Sequence, residues 1–255
     1  MQASSFPPIA CPLQCKWALL STLCIVLVSC GDSVPFPEAS PSACASGLVA
    51  ETLRCVAPDT LVADESLLTI APAQPRRDRI HVVVEIPAGT VEKWEVTKPH
   101  GTLALESHNG HPRRIQYLPY PVTYGMIPNT RSSRASGGDG DPLDVFLLGP
   151  AYPRGTVVEA RAIGALYMQD DGEADDKILA VPTDSSRAPF AEVTNVDALS
   201  EQYPGVLSIL RTWLTHYEGP GNVVVGIGSA ADARALVDSA ALHPRQLRPP
   251  AATGS

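Results

Sequence analysis

The chain is short of positive charge: 19 Lys and Arg stand against 27 Asp and Glu, a formal net charge of -8. So acidic a chain repels polyanions, which excludes a general nucleic-acid-binding role. Long apolar runs are missing too. The one sustained stretch, Trp17 to Val28, is shorter than the about 20 residues that a membrane-spanning helix needs. The six Cys all lie at or before Cys55, away from every acidic segment, so neither thiolate catalysis nor a zinc site is built from them. No internal repeat is present.

What remains is a chain of 255 residues with 44% hydrophobic content, enough for one core with a small appendage. Residues 1–29 read as a signal peptide, with Lys16 ahead of the apolar stretch. That stretch ends in Leu27-Val28-Ser29-Cys30-Gly31, a pattern similar to a bacterial lipobox, in which the Cys is lipidated and begins the mature chain. An ordinary cleaved signal peptide that happens to carry Cys30 is the alternative. Either way the protein is expected in the bacterial cell envelope, periplasmic or anchored through Cys30. Membrane contact is expected only through that lipid. Cys44 and Cys55 are then the pair free to form a disulfide in an oxidising compartment.

Residues 30–77 are rich in Pro, Ala and Ser and read as a linker or a small stapled segment. Residues 78–241 read as the catalytic domain and 242–255 as a Pro-containing tail without folded structure. Within the domain, His81–Ile86 is β-branched and stopped by Pro87. Further short strands are expected at Lys93–Thr97, Thr102–Glu106, Arg114–Tyr117, Val145–Leu148, Val157–Ala165, Lys177–Val181 and Asn222–Ile227. Strands so short and so spaced suggest a small barrel rather than βαβ units. Val206, Ile209, Leu210, Trp213, Leu214 and Tyr217 recur at helical spacing, and Ala230–Ala241 forms a second helix capped by Ser229.

Residues 139–144, Asp-Gly-Asp-Pro-Leu-Asp, carry three carboxylates and lead into the apolar Val145-Phe146-Leu147-Leu148. Self-repulsion and desolvation oppose that arrangement unless a cation sits among the acids. Lys93 with Glu95, Asp139 with Asp141, and Asp175 with Lys177 are each two residues apart, so an extended chain aims each pair at one face. Glu85 lies inside an apolar strand, and Asp170 lies shortly before Asp175. If Glu85, Glu95, Asp139, Asp141, Asp144, Asp170 and Asp175 share a site, each close pair costs about 4 kcal/mol at ~4 Å and an effective dielectric of ~20. Several divalent ions are then required. Hard oxygen donors without His or Cys select Mg²⁺, with Mn²⁺ as a substitute and Ca²⁺ as a competitor. The spacing fails the EF-hand pattern, since Asp144 and Pro150 stand where that loop needs Gly and Glu. Lys93, Arg113, Arg114 and Lys177 can bind anionic oxygens, and the phenols of Tyr120 and Tyr124 can donate to them. Metals, cations and phenols together describe a phosphoryl-binding site.

Taken in order, five blocks resemble the soluble family I inorganic pyrophosphatases: Val83–Pro87 with Lys93-Trp94-Glu95, Tyr120–Gly125, Asp139–Val145, Asp170–Lys177 and His216-Tyr217. The resemblance implies an α+β, mainly β fold, a five-stranded OB-like barrel with flanking α-helices. It implies Mg²⁺-dependent hydrolysis of pyrophosphate to two orthophosphates, and homo-oligomers are common in the family. By position, Asp139, Asp144, Asp170, Asp175, Glu85 and Glu95 match metal-site residues and Asp141 the general base. Lys93, Tyr124, Lys177 and Tyr217 match pyrophosphate- or phosphate-binding positions. Arg113, with Arg114 as the alternate, takes the place of the family's early arginine. Two departures stand out: Thr123-Tyr124 displaces the usual Asn before Gly125, and Glu218 stands where a Lys commonly follows the late tyrosine. The second removes a phosphate contact and adds negative charge. A degenerate member that binds phosphate or metal without efficient turnover is therefore the alternative.

Two outcomes follow. Mass spectrometry of the mature protein should find an N-terminal peptide beginning at Cys30 with a lipid mass; a free Cys30 would leave the ordinary signal peptide. Glu218→Lys should raise the rate of phosphate release from pyrophosphate.

Overall fold

The structure, a computed structural model, describes residues 48–134, 137–184 and 189–242. The expected signal peptide, Cys30, Cys44 and the tail beyond Leu242 lie outside those residues. Cys55 is disulfide-bonded. The elements run β1 (Arg54–Ala57), β2 (Thr60–Val62), β3 (Ile80–Ile86), β4 (Trp94–Val96), β5 (Leu103–Leu105), β6 (Ser107–His108), β7 (His111–Pro112), β8 (Thr123–Met126), β9 (Asp144–Leu147), β10 (Val157–Asp170), β11 (Glu173–Ala174) and β12 (Lys177–Pro182). They finish with α1 (Val196–Gln202), α2 (Val206–His216), β13 (Val223–Gly228) and α3 (Ala230–Ala240).

Five strands close a ring. β3 pairs with β8, β8 with β9, β9 with β12, β12 with β10, and β10 returns to β3. Only the β9–β12 pairing of this ring is parallel. The alternation of the strands gives each one two apolar faces. Val83, Phe146, Leu179 and Val181 join a cluster with Leu210 and Trp213 of α2, while Val82, Val84, Val145, Ile178 and Ala180 pack with Ala233 and Val237 of α3. A ring buried on both faces explains why these strands read as continuous apolar runs rather than as alternating ones. The mainly β fold with flanking helices agrees with the sequence expectation.

The β10 strand is longer than expected, reaching Asp170, where a two-residue turn returns it to β11. Asp171 and Gly172 both have positive φ, 46° and 91°, the backbone that such hairpin turns require. Three further differences have local causes. Arg114–Tyr117 forms no strand and makes one isolated bridge, Glu92 to Arg114. β8, Thr123–Met126, is not among the expected strands and starts just after Pro119 and Pro121. The segment before Ile80, read as linker or stapled cap, carries β1 and β2, and β2 pairs with β5 to form a sheet in the order β1-β2-β5-β4.

The helices start where their caps are. Ser229 Oγ accepts from the Asp232 N–H and the Asp232 carboxylate accepts from the Ser229 N–H, a reciprocal box at the start of α3. Asn195 caps α1, a short helix that periodicity did not reveal. Of the stripe expected on α2, Leu210, Trp213 and Leu214 are buried but Ile209 is 59% exposed.

Gly125 is the tightest point of the ring. A Cβ there would fall against the Val83 carbonyl of the neighbouring strand, which is backbone and cannot yield cheaply. Gly125→Ala should therefore lower unfolding free energy by about 1–3 kcal/mol, the usual cost of overpacking, read as a lower denaturant midpoint. An unchanged midpoint would mean that the ring relaxes at β3.

Candidate active site

One polar cleft of about 500 Å³ gathers eleven of the candidate residues: Glu85, Lys93, Glu95, Tyr124, Asp139, Asp141, Asp144, Asp170, Asp175, Lys177 and Tyr217. The ring brings them together. In the parallel pairing, Lys177 lies beside Asp144; in the antiparallel one, Met126 lies opposite Asp144 and Tyr124 opposite Phe146. The hairpin of β10 and β11 carries Asp170 to the same mouth.

Lys177 is the hub of the acidic side. Its ammonium donates to Asp144 Oδ2 and to Asp175 Oδ1, each at 2.5 Å, with the side chain only 4% exposed. Burial opposes its charge, yet Asp144 and Asp175 raise its pKa above the ordinary lysine value, so the ammonium is retained. Asp175 is pushed upward by burial, and Lys177 offsets that only in part.

The hexapeptide is organised by a turn. Asp139 Oδ1 accepts from the Asp141 N–H at 2.8 Å and from Ser132 Oγ at 2.5 Å, while Gly140 sits at φ 87°. That is an Asx-type turn, which tolerates the left-handed residue because it is Gly. Asp139 and Asp141 therefore share the cleft by a turn, not by the extended alternation expected for them. Asp141 is ion-paired with Lys98, a cleft residue that the sequence reading missed. Lys98 lies beyond β4, which carries Glu95, and no spacing rule connects it to residue 141. Glu173, on β11, is a second missed acid of the cleft.

Glu85 is 5% exposed and accepts from the Val96 N–H at 2.7 Å. Its pKa is pushed up to about 8, first by burial and next by the Asp144 charge. Burial is also the leading cause of the upward shifts of Glu95 and Asp170. The carboxylates thus exceed the countercharge that the protein supplies here. Among the described residues no three of them already converge as a closed ligand cluster. The donor set is nonetheless all carboxylate oxygen, and with its excess of negative charge it fits hard divalent cations.

The cationic side is arranged differently from the expectation. Lys93 lies 3.4 Å from Glu106 Oε2 and 3.5 Å from Glu218 Oε1. Arg113, which does not line the cleft, donates to Glu106 at 2.6 Å and also pairs with Glu218. Arg114 turns to Glu92 at 3.2 Å, so Arg113 is the arginine connected to the site. An aromatic floor fixes Tyr217: it stacks on Trp213 at 4.3 Å, Trp213 packs on Tyr120 at 4.6 Å, and the indole N–H donates to the Leu118 carbonyl. Tyr120 belongs to this floor rather than to the cleft. Burial raises the Tyr124 and Tyr217 phenols far above their ordinary range, so both remain donors.

Known proteins share this sequence and frame. The inorganic pyrophosphatase family model matches residues 82–243. An inorganic pyrophosphatase of Gluconobacter oxydans is 37% identical over 151 residues, 58% of this chain and 76% of that one. Another, of Saccharolobus solfataricus, is 32% identical over 186 residues, 70% and 99% of the two chains. A structure of the N-terminally truncated vacuolar soluble pyrophosphatase of Trypanosoma cruzi, in complex with PPi, aligns with a TM-score of 0.65 over 71% of this chain and 78% of that one. At 23% identity that is a likeness of fold. With more than half of its length inside the family match, the chain belongs to the inorganic pyrophosphatases, hydrolases that act on the phosphoanhydride bond of inorganic diphosphate.

Proposed function

We propose that this chain hydrolyses inorganic pyrophosphate to two orthophosphates in a Mg²⁺-dependent reaction. The observation that carries the reading is the single cleft that joins the excess of carboxylates to Lys177, Lys93 and the half-buried Tyr124 and Tyr217. Asp139, Asp144 and Asp175 would hold the ions, supported by Asp170, Glu85 and Glu95. When bound, Mg²⁺ supplies positive charge to the phosphoryl oxygens and makes the attacking water more acidic. Mn²⁺ would substitute with the same donors.

The residues divide the remaining work. Asp141 accepts the proton of the attacking water, once Lys98 no longer holds its carboxylate. Lys177, fixed between two acids, presents charge at the point where those acids meet the substrate. Tyr124 and Tyr217 donate to phosphate oxygens from the apolar floor, where such bonds strengthen because water is excluded. Lys93 binds the outer phosphate. Pyrophosphate as the bound molecule is supported by the T. cruzi complex, whose frame this chain shares.

We also propose export to the cell envelope, with Cys30 as the lipid anchor. The leader pattern supports it, and so does the disulfide at Cys55, since such bonds persist in oxidising compartments.

Asp141→Asn should lower the rate of phosphate release about a hundredfold or more, the scale of a lost general base, while the fold is retained. Asp144→Asn should also lose most activity and should shift the Mg²⁺ dependence to higher concentration. A wild-type rate and Mg²⁺ dependence in Asp144→Asn would remove Asp144 from the metal site. Equal or faster release from nucleotides or sugar phosphates by the unsubstituted protein would overturn pyrophosphate as the substrate.

A further inference from the structure

The Glu218 carboxylate occupies the place where an anion would bind. One oxygen accepts from Lys93 at 3.5 Å and from the Arg113 guanidinium; the other lies 3.4 Å from Asn222 Nδ2. The Tyr217 side chain lines the same end of the cleft, and the Glu218 charge raises its phenol further. A lysine, an arginine and a phenol around one anion form the donor set that recognises a phosphate group. Burial opposes ionisation of Glu218, but Lys93 and Arg113 outweigh it and hold the carboxyl below its ordinary range. Glu106 takes the same two cations from another side. Two positive charges thus face two negative ones, and Lys93 and Arg113 have no net charge left to offer.

The chain after Glu218 is glycine-rich. α2 ends just before, and Gly219 and Gly221 follow at φ 96° and 133°, with open space where a Cβ of Gly219 would lie. Backbone of this kind turns without the steric cost that other residues carry.

We propose that Glu218 is a specificity-determining residue, a resident anion in the Lys93–Arg113–Tyr217 cradle that an incoming phosphate group must displace. The proposal rests on the pyrophosphatase reading and deepens it. A pyrophosphate has a second phosphoryl group that binds at the Lys177 end of the cleft, so its total binding energy suffices to move Glu218. Free orthophosphate lacks that second attachment and competes poorly. The device favours diphosphate over monophosphate and lets product leave readily, with a higher KM as the cost.

The alternative is a brace: Glu218 holds Lys93 and Arg113 in position, and its loss weakens phosphate binding. Calorimetric titration of inorganic phosphate into the mature chain at fixed Mg²⁺ separates the two. Glu218→Gln should bind phosphate about tenfold more tightly, since a like charge leaves the cradle. KM for pyrophosphate and the inhibition constant for phosphate should both fall. Glu218→Asp keeps the charge on a shorter arm, serves if the Gln variant does not fold, and should tighten phosphate binding by a smaller factor. Equal or weaker phosphate binding in the folded variants overturns the proposal, as does an absence of phosphate binding in every form. Hydrolysis is scored separately: if no form cleaves pyrophosphate, the pyrophosphatase reading fails while the phosphate titration still decides the role of Glu218.

Discussion

The triad of Lys177 with Asp144 and Asp175 is the constraint on which the site depends. An almost fully buried ammonium is tolerable only beside carboxylates, and removing one partner from such a group typically costs about 3–5 kcal/mol. The partners come from different sources. Asp144 arrives through the parallel β9–β12 register, Asp175 through the two-residue spacing within the chain. The register of the ring and the charge balance of the site are therefore one condition. A slip of one residue between β9 and β12 would turn Asp144 to the opposite face and leave Lys177 half-paired. The same triad limits the carboxylates, because two of the acids expected to hold cations already share an internal one.

The cleft thus holds two kinds of charge compensation. On the acidic side, carboxylates outnumber the lysines, and Glu85, Glu95, Asp170 and Asp175 all hold their protons more firmly than isolated acids do. On the cationic side, Lys93 and Arg113 are matched by Glu106 and Glu218. The first side is unfinished without further positive charge, while the second is complete without any ligand. The second arrangement depends on Glu218, which takes both cations at once.

Much of this was legible in the sequence because it is local. Apolar runs such as Val82–Val84 and Ile178–Val181 mark strands whatever surrounds them, and the Lys93–Glu95 and Asp175–Lys177 spacings report a shared face directly. The 139–144 segment lines the same cleft for a different reason, a turn at Gly140, since an extended chain and an Asx turn both bring residues two apart together. What was not legible is non-local. Lys98 meets Asp141 across the cleft, and Arg113 reaches Glu218 from more than a hundred residues away. Buried Arg154, which donates to the Glu85 carbonyl and lies over the Trp94 ring at 4.5 Å, carries no pattern that marks it. The β1–β2 hairpin escaped because Pro, Ala and Ser around it mask strands of only a few residues, stabilised by pairing with β5.

One strand has a consequence for how the chain is made. β10 pairs with β3 near its start, with β12 along its middle, and with β11 and β13 toward its end. Its partners thus lie on both sides of it in sequence, and β3 is separated from it by most of the cleft-forming segments. The ring cannot close on a growing chain until Pro182 has emerged from the ribosome, and β13 adds only after another forty or so residues. Contacts so distant in sequence close slowly. Until then β9 and β10 lack β12 between them, and those open edges are exposed to aggregation. Timing of closure, rather than stability of the finished ring, then sets how long those edges stay open.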